Sequence, residues 1–160
     1  MKIGVVSDSH GNLHDLELAL ADMGHVDILF HLGDYVEDGE YLKTLTNTPV
    51  YLIKGNMDRF TQAGKDEILL VVDGVAILAC HGHAYGVKSD LYRVTLRGQE
   101  RNARIVLFGH THQAYQTDDG QIMLFNPGSA GAPRMGGEKS YGIITIDGDN
   151  IDGQIIPLKK

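Results

Sequence analysis

Nine side chains spread over two thirds of the chain have the chemistry of a site for hard or borderline metal ions. They are Asp8 and His10, Asp34 after Gly33, Asn56 and Asp58, His81 and His83, and His110 and His112. Each fragment alone is common by chance. In this order, each beside an apolar run, they describe a site for two divalent cations. Carboxylate, imidazole and amide oxygen without thiolate favour manganese, iron, zinc, nickel or magnesium over copper(I) or an iron–sulfur cluster. Two such ions facing two carboxylates keep a positive excess. Held ~3.5–4 Å apart, they would lower the pKa of a bridging water and clamp phosphoryl oxygens during in-line attack. No Ser-His-Asp or Cys-His nucleophile set legible in the sequence competes for that role.

For these residues to meet, the chain must carry them to one edge of a sheet. The periodicity predicts strands at Ile3–Ser7, Asp27–His31 and Val50–Ile53. A helix is expected between the first two, capped by Asn12, carrying Leu13, Leu16, Leu20 and Met23, and stopped at Gly24. A second is expected over Gly39–Leu45. Alternating strand and helix implies a parallel sheet with helical crossovers. Ile68–Val72 and Val75–Cys80 read as strands joined by the hairpin signal Asp73-Gly74. A helix over Ser89–Ala103 and a strand over Arg104–Phe108 follow, and the last fifty residues read as β, with a final pair at Tyr141–Ile146 and Ile151–Ile156. Asp8, Asp34, Asn56, His81 and His110 each lie just past a predicted strand, where open α/β sheets gather their ligands.

Composition sets the remaining bounds. A chain of 160 residues suits one α/β domain over residues 1–160, with a core that needs no disulfide. The net charge of −7 argues against general nucleic-acid binding, which rests on cationic contacts to phosphate. It does not oppose a small phosphate-ester substrate, since bound cations reverse the local field. The lone Cys80 reads as a buried strand residue and suits a reducing compartment. With neither a leader-like apolar stretch nor a run long enough to span a membrane, the expected location is cytoplasmic and off the membrane. His31 reads as a satisfied core residue, His14 and His25 as surface residues. Arg93, Arg97 and Arg101 form one stripe that reads as a solvated helix face. Nothing identifies an interface, so a homo-oligomer is left open.

The ordered motifs, with Asn126-Pro-Gly-Ser129 near the end, resemble the calcineurin-like metallophosphoesterase superfamily, and within it a small bacterial and archaeal phosphodiesterase branch. The likeness covers nearly the whole chain. It implies a four-layer αββα sandwich of two mixed β-sheets flanked by helices. It also implies that Asp8, His10 and His112 hold one metal ion, that Asn56, His81 and His110 hold the other, and that Asp34 bridges both. Manganese is the expected ion. Many members carry a proton-donating His where this chain has Met57, oriented by the equivalent of Asp58; here protonation is left to water or to a substitute donor such as His83, and esters with acidic leaving groups should be favoured. The implied activity is hydrolysis of small phosphate diesters through a metal-bridging hydroxide. The alternatives are a phosphomonoesterase or nucleotide-polyphosphate hydrolase, and a non-catalytic retromer-type scaffold on the same fold. Scaffolds of that type characteristically lose the metal-binding His residues, which are all present here.

Overall fold

The computed structural model describes residues 1–159. Strands β1 (Lys2–Val6), β2 (Ile28–His31) and β3 (Val50–Leu52) are continuous apolar runs because both faces of their sheet are covered. They pair in parallel through the crossover helices α1 (Leu13–Met23) and α2 (Val36–Leu45). Val6 lies opposite His31, and His31 opposite Leu52, so all three strands stop at the same edge.

The second half begins with the hairpin β4 (Glu67–Val72) and β5 (Val75–Cys80), turning at Asp73-Gly74 as the sequence predicts. Helix α3 (Tyr92–Glu100) leads to β6 (Ile105–Leu107), followed by β7 (Ala114–Asp118) and β8 (Met123–Pro127). Strands β5, β6 and β8 run parallel, with Ala79 opposite Leu107 and Leu107 opposite Phe125. The chain then returns to the first sheet through β9 (Ser140–Asp147) and β10 (Asn150–Pro157). The two five-stranded mixed sheets have the orders β10-β9-β1-β2-β3 and β4-β5-β6-β8-β7.

Side-chain alternation along the strands divides the interior into three apolar layers. Ile3, Val5 and Phe30 face Ile77, Ala79, Ile105, Leu107 and Phe125 between the sheets. Val6, Leu29 and Ile143, on the opposite face, pack on Leu16, Ala19 and Met23 of α1 and Leu42 of α2. Leu78, Val106 and Leu124 pack on Val94 of α3 with Val87 and Phe108. Three layers of core between two sheets and two helical faces make the αββα sandwich that the resemblance implies. No helix among the described residues is long and apolar enough to cross a membrane.

Local readings differ in four places. Asn12 occupies the α1 N-cap, but its amide caps nothing: Nδ2 donates to the carbonyls of Ser9 and Gly131, tying the entry loop to the loop before β9. Helix α2 starts at Val36 rather than Gly39, because the acidic Glu37 and Asp38 suit its first turn while Gly39 lets the helix sit against Leu52 and His31. Helix α3 is shorter than Ser89–Ala103 at both ends. Its arginine stripe is not wholly solvated either: Arg97 grips Glu67 of β4 through Nε and Nη2, and Glu67 also accepts from the Tyr85 hydroxyl.

Candidate metal centre

The loops leaving β1, β2, β3, β5 and β6 open at one edge of the molecule, and their conformations are unusual. Among the described residues nine non-glycine residues have positive φ, and five of these are Asp8, His10, Asp34, His110 and His112. A left-handed conformation costs a non-glycine residue about 1–3 kcal/mol, so surrounding contacts must over-determine it. Those contacts are present. One Asp8 oxygen, Oδ2, accepts from Ser7 Oγ at 2.6 Å and from the His110 amide at 3.0 Å. The carbonyl of Asp8 accepts from Ser129 Oγ at 2.7 Å. Asn126 donates to the Gly109 carbonyl at 3.2 Å and to Thr111 Oγ1 at 3.0 Å. The Asn126-Pro-Gly-Ser129 segment is thus more than a turn beside the cluster; it locks the loops that carry Asp8 and His110.

The structure brings all seven expected ligands into one cluster. Ligand atoms of Asp8, His10, Asp34 and His112 lie within 4.8 Å of one another. His10 Nε2 is 3.1 Å from His112 Nε2, and His112 Nε2 is 3.2 Å from Asp8 Oδ1. On the other side, His81 Nε2 is 3.1 Å from Asn56 Oδ1, and the His110 ring centre is 5.1 Å from that of His81. Asp34 stands between the halves: Oδ2 is 3.5 Å from His10 Nε2, and Oδ1 is 3.5 Å from His81 Nε2.

Two observations test whether this set fits cations. Asp8 Oδ1 is the one buried side-chain polar atom among the described residues without a hydrogen-bond partner, and such an atom ordinarily costs about 1–3 kcal/mol. Its neighbours are ring nitrogens whose tautomers are fixed by carbonyls. His81 Nδ1–H donates to Leu32 O at 2.7 Å, and His112 Nδ1–H donates to Ala132 O at 2.6 Å. In the neutral rings both Nε2 lone pairs therefore face the oxygens of Asp8, Asp34 and Asn56. Lone pairs opposing lone pairs need a positive charge between them, and backbone-fixed imidazoles are the usual way to aim such a donor at a metal.

The titration behaviour points the same way. Burial opposes the charged form of Asp34, but His81, the Met57 amide and His10 outweigh it and hold the carboxyl down at about 2. Asp8 is likewise below its ordinary range despite burial, through His112, His81 and Ser7. Its contact with Asp8 raises His112. Burial works against a charged His81, yet Asp34 and Asp8 raise it overall. Burial lowers His10, and burial with the nearby His81 brings His110 to about 4. The cluster is a pair of firmly ionised carboxylates ringed by nitrogens competing for too few protons, and divalent ions satisfy that demand.

Two glycines make the approach possible. A Cβ on Gly55 would stand 2.1 Å from Asp34 Oδ1, and one on Gly109 would stand 2.1 Å from Ser7 Oγ and 2.8 Å from Asp8 Oδ2.

The other candidates sit at the margin. Asp58 is buried, with Oδ1 accepting from the Val36 amide and Oδ2 from the Gly55 amide, so it joins the start of α2 to the loop that carries Asn56. His83 opens a short 3₁₀ turn, His83–Tyr85, with its ring centre 5.4 Å from that of His81. It lines a cavity of about 280 Å³ with Lys54, Asn56, Arg59 and Asp66. Met57 is exposed, while its amide donates to Asp34 Oδ1 at 3.1 Å. His31 is a fully buried, hydrogen-bonded core residue, as read from the sequence, and burial holds it neutral. Tyr35 was not legible as part of the site; its ring packs 5.2 Å from that of His10, and nothing in its spacing signals this.

Comparison with known proteins is consistent with this geometry. The family model described as the calcineurin-like phosphoesterase superfamily domain matches residues 1–149. A probable metallophosphoesterase of Bacillus subtilis, YsnB, is 36% identical over 151 residues, covering 93% of this chain and 86% of that protein. The phosphodiesterase YfcE of Escherichia coli is 27% identical over 175 residues, covering 92% and 89% respectively. The crystal structure of a predicted phosphoesterase from Streptococcus pneumoniae superposes with a TM-score of 0.76 at 30% identity, covering 91% of this chain and 83% of that one.

Proposed function

The chain belongs to the calcineurin-like phosphoesterase superfamily, and from that premise we propose that it hydrolyses small phosphate diesters with two divalent cations, preferentially Mn²⁺. The observation that carries this reading is the buried, unpartnered Asp8 Oδ1, with ring nitrogens of His112, His81 and His10 within 3.9 Å of it and Asp34 between His81 and His10. Asp8, His10 and His112 would hold one ion, Asn56, His81 and His110 the other, with Asp34 shared. When bound, the ions supply a water of lowered pKa and neutralise charge developing on the phosphoryl oxygens.

The chain's own residues account for the rest. The Leu32 and Ala132 carbonyls fix the ring orientations of His81 and His112, so no rotation is needed as substrate arrives. The Met57 amide and Gly55 hold Asp34 against the cluster. Asp58 acts as a positioning residue, because backbone amides take both of its oxygens. The cavity beside Asn56 accommodates the departing arm of the ester, with His83 on its wall. Burial and the nearby His81 lower the His83 pKa, so at neutral pH this ring is largely unprotonated. Met57 has no proton to give. Esters whose leaving groups need no proton are therefore the good substrates, since a general acid contributes ~10²–10⁴ in rate. The diester preference draws support from the name of the Escherichia coli relative.

The test is hydrolysis of bis(p-nitrophenyl) phosphate by purified protein with Mn²⁺, beside p-nitrophenyl phosphate and an Asp34→Ala variant. The diester should be the faster substrate and the variant inactive. Equal rates for variant and wild type would refute the reading.

A further inference from the structure

Ser9, His31 and Asp38 meet in the interior directly behind the Asp8–His10 loop. Ser9 and His31 are fully buried and Asp38 nearly so. The three residue types suggest a hydrolytic triad, but the order of contacts excludes one. In a nucleophile triad the imidazole stands between hydroxyl and carboxylate. Here the hydroxyl stands in the middle. The Gly33 amide donates to His31 Nδ1 at 3.3 Å, which leaves the ring proton on Nε2. That proton is donated to Ser9 Oγ at 2.9 Å, and Ser9 donates its own to Asp38 Oδ2 at 2.7 Å. The hydroxyl is thus committed as acceptor and donor, and no substrate reaches it.

What the chain of bonds does is clamp a strained loop. Asp38 Oδ2 also accepts from the Gly11 amide at 2.8 Å. A single carboxylate oxygen therefore holds the backbone on both sides of His10, through Ser9 before it and Gly11 after it. His10 and Asp8 are both in the left-handed region, with φ of 50° and 53°. The carboxylate is well placed for this, because Asp38 lies in the first turn of α2, where helix dipoles favour a negative charge. His31 completes the link to the Gly33 amide, beside Asp34. The His81, His110 and Asn56 half of the cluster has no member in this network.

We propose that Ser9, His31 and Asp38 are positioning residues that preset the loop carrying Asp8 and His10, and thereby govern the affinity of the ion held by Asp8, His10 and His112. The proposal rests on the two-cation reading above. Groups that orient metal ligands typically change affinity 10–100-fold when removed.

The experiment follows ¹⁵N-labelled histidine resonances of the intact protein during titration with Zn²⁺, a diamagnetic probe. His10 and His112 report one ion, and His81 and His110 the other. In Ser9→Ala the Zn²⁺ needed to half-saturate His10 and His112 should rise at least about tenfold, with His81 and His110 moving far less. Asp38→Asn should give the same asymmetry. Equal loss at both pairs of histidines would overturn the proposal, because it would mean a general loosening. So would unchanged affinity, or failure of both variants to give the wild-type circular dichroism without metal, which would make the network a folding element. A wild-type protein that takes up no Zn²⁺ would overturn the two-cation reading itself, a result separate from all of these.

Discussion

Adding one methyl group at Gly55 should disable the site while leaving the fold standing. The backbone of Gly55 has ordinary φ, so alanine carries no conformational penalty there. Its Cβ would stand 2.1 Å from Asp34 Oδ1 and 2.5 Å from the Asp34 nitrogen, where ordinary contact begins at 3.4 Å. The carboxylate must retreat by about 1.3 Å from a position 3.5 Å from His81 Nε2, and because the second clash is with backbone, the loops carrying Gly55 and Asp34 must also part by about 0.9 Å. A misplacement of ~1 Å in a catalytic constellation can cost about 10²-fold in rate, and overpacking costs about 1–3 kcal/mol of stability. In a protein of this size each kcal/mol lowers Tm by roughly 2–4 °C. Gly55→Ala should therefore lose about 10²-fold or more in Mn²⁺-dependent diester hydrolysis. By circular dichroism the metal-free protein should still melt cooperatively, within about 12 °C of wild type. Activity within about threefold of wild type in a folded Gly55→Ala protein would refute the argument that Asp34 must sit where this glycine lets it.

Three further outcomes follow from the same contacts. In metal-free protein the folded Asp34 carboxyl titrates at about 2 against an ordinary 3.8; it stabilises the fold above the higher value and that contribution is lost as pH falls through the lower. The folded His110 ring titrates at about 4 against 6.5, so stability should also fall as pH drops through that interval; denaturant titrations of His110→Gln should show the slope removed. Asn126→Ala deletes donors to the Gly109 carbonyl and Thr111 in a fully buried position, which should cost about 1–3 kcal/mol by urea titration and lower activity without removing a metal ligand. Saturating Mn²⁺ at one hundred times its dissociation constant should add about 2.7 kcal/mol, seen as a rise in Tm that EDTA reverses; an unchanged Tm would contradict binding to the native state.

Much of this was legible because the strands that matter are apolar on both faces. Val5-Val6, Leu29-Phe30 and Leu78-Ala79 each feed two cores, so they stand out as uninterrupted runs and fix the places where chemistry can emerge. The Asp73-Gly74 turn was legible for a local reason, since both residues adopt positive φ. Strand β7 was harder: all five of its residues are exposed at a sheet edge, and no burial pattern marks it. The start of α2 was obscured because Gly39, a poor helix former, is there to admit Leu52 and His31. In the cluster, residue type and position after a strand pointed to Asp8, Asp34 and His81. The supports did not announce themselves. Ser7, Ser9, Asp38 and Ser129 are common polar residues whose roles depend on hydrogen bonds across as many as 121 positions of sequence. Division into two sheets came only through the family likeness, because periodicity within a strand says nothing of which sheet it joins.

Anomalous diffraction from crystals grown with Mn²⁺ addresses the central claim most directly. Two peaks about 3.5–4 Å apart, one beside Asp8, His10 and His112 and the other beside Asn56, His81 and His110, with Asp34 touching both, are expected. Peaks elsewhere on the surface, or none within reach of Asp34, would contradict it.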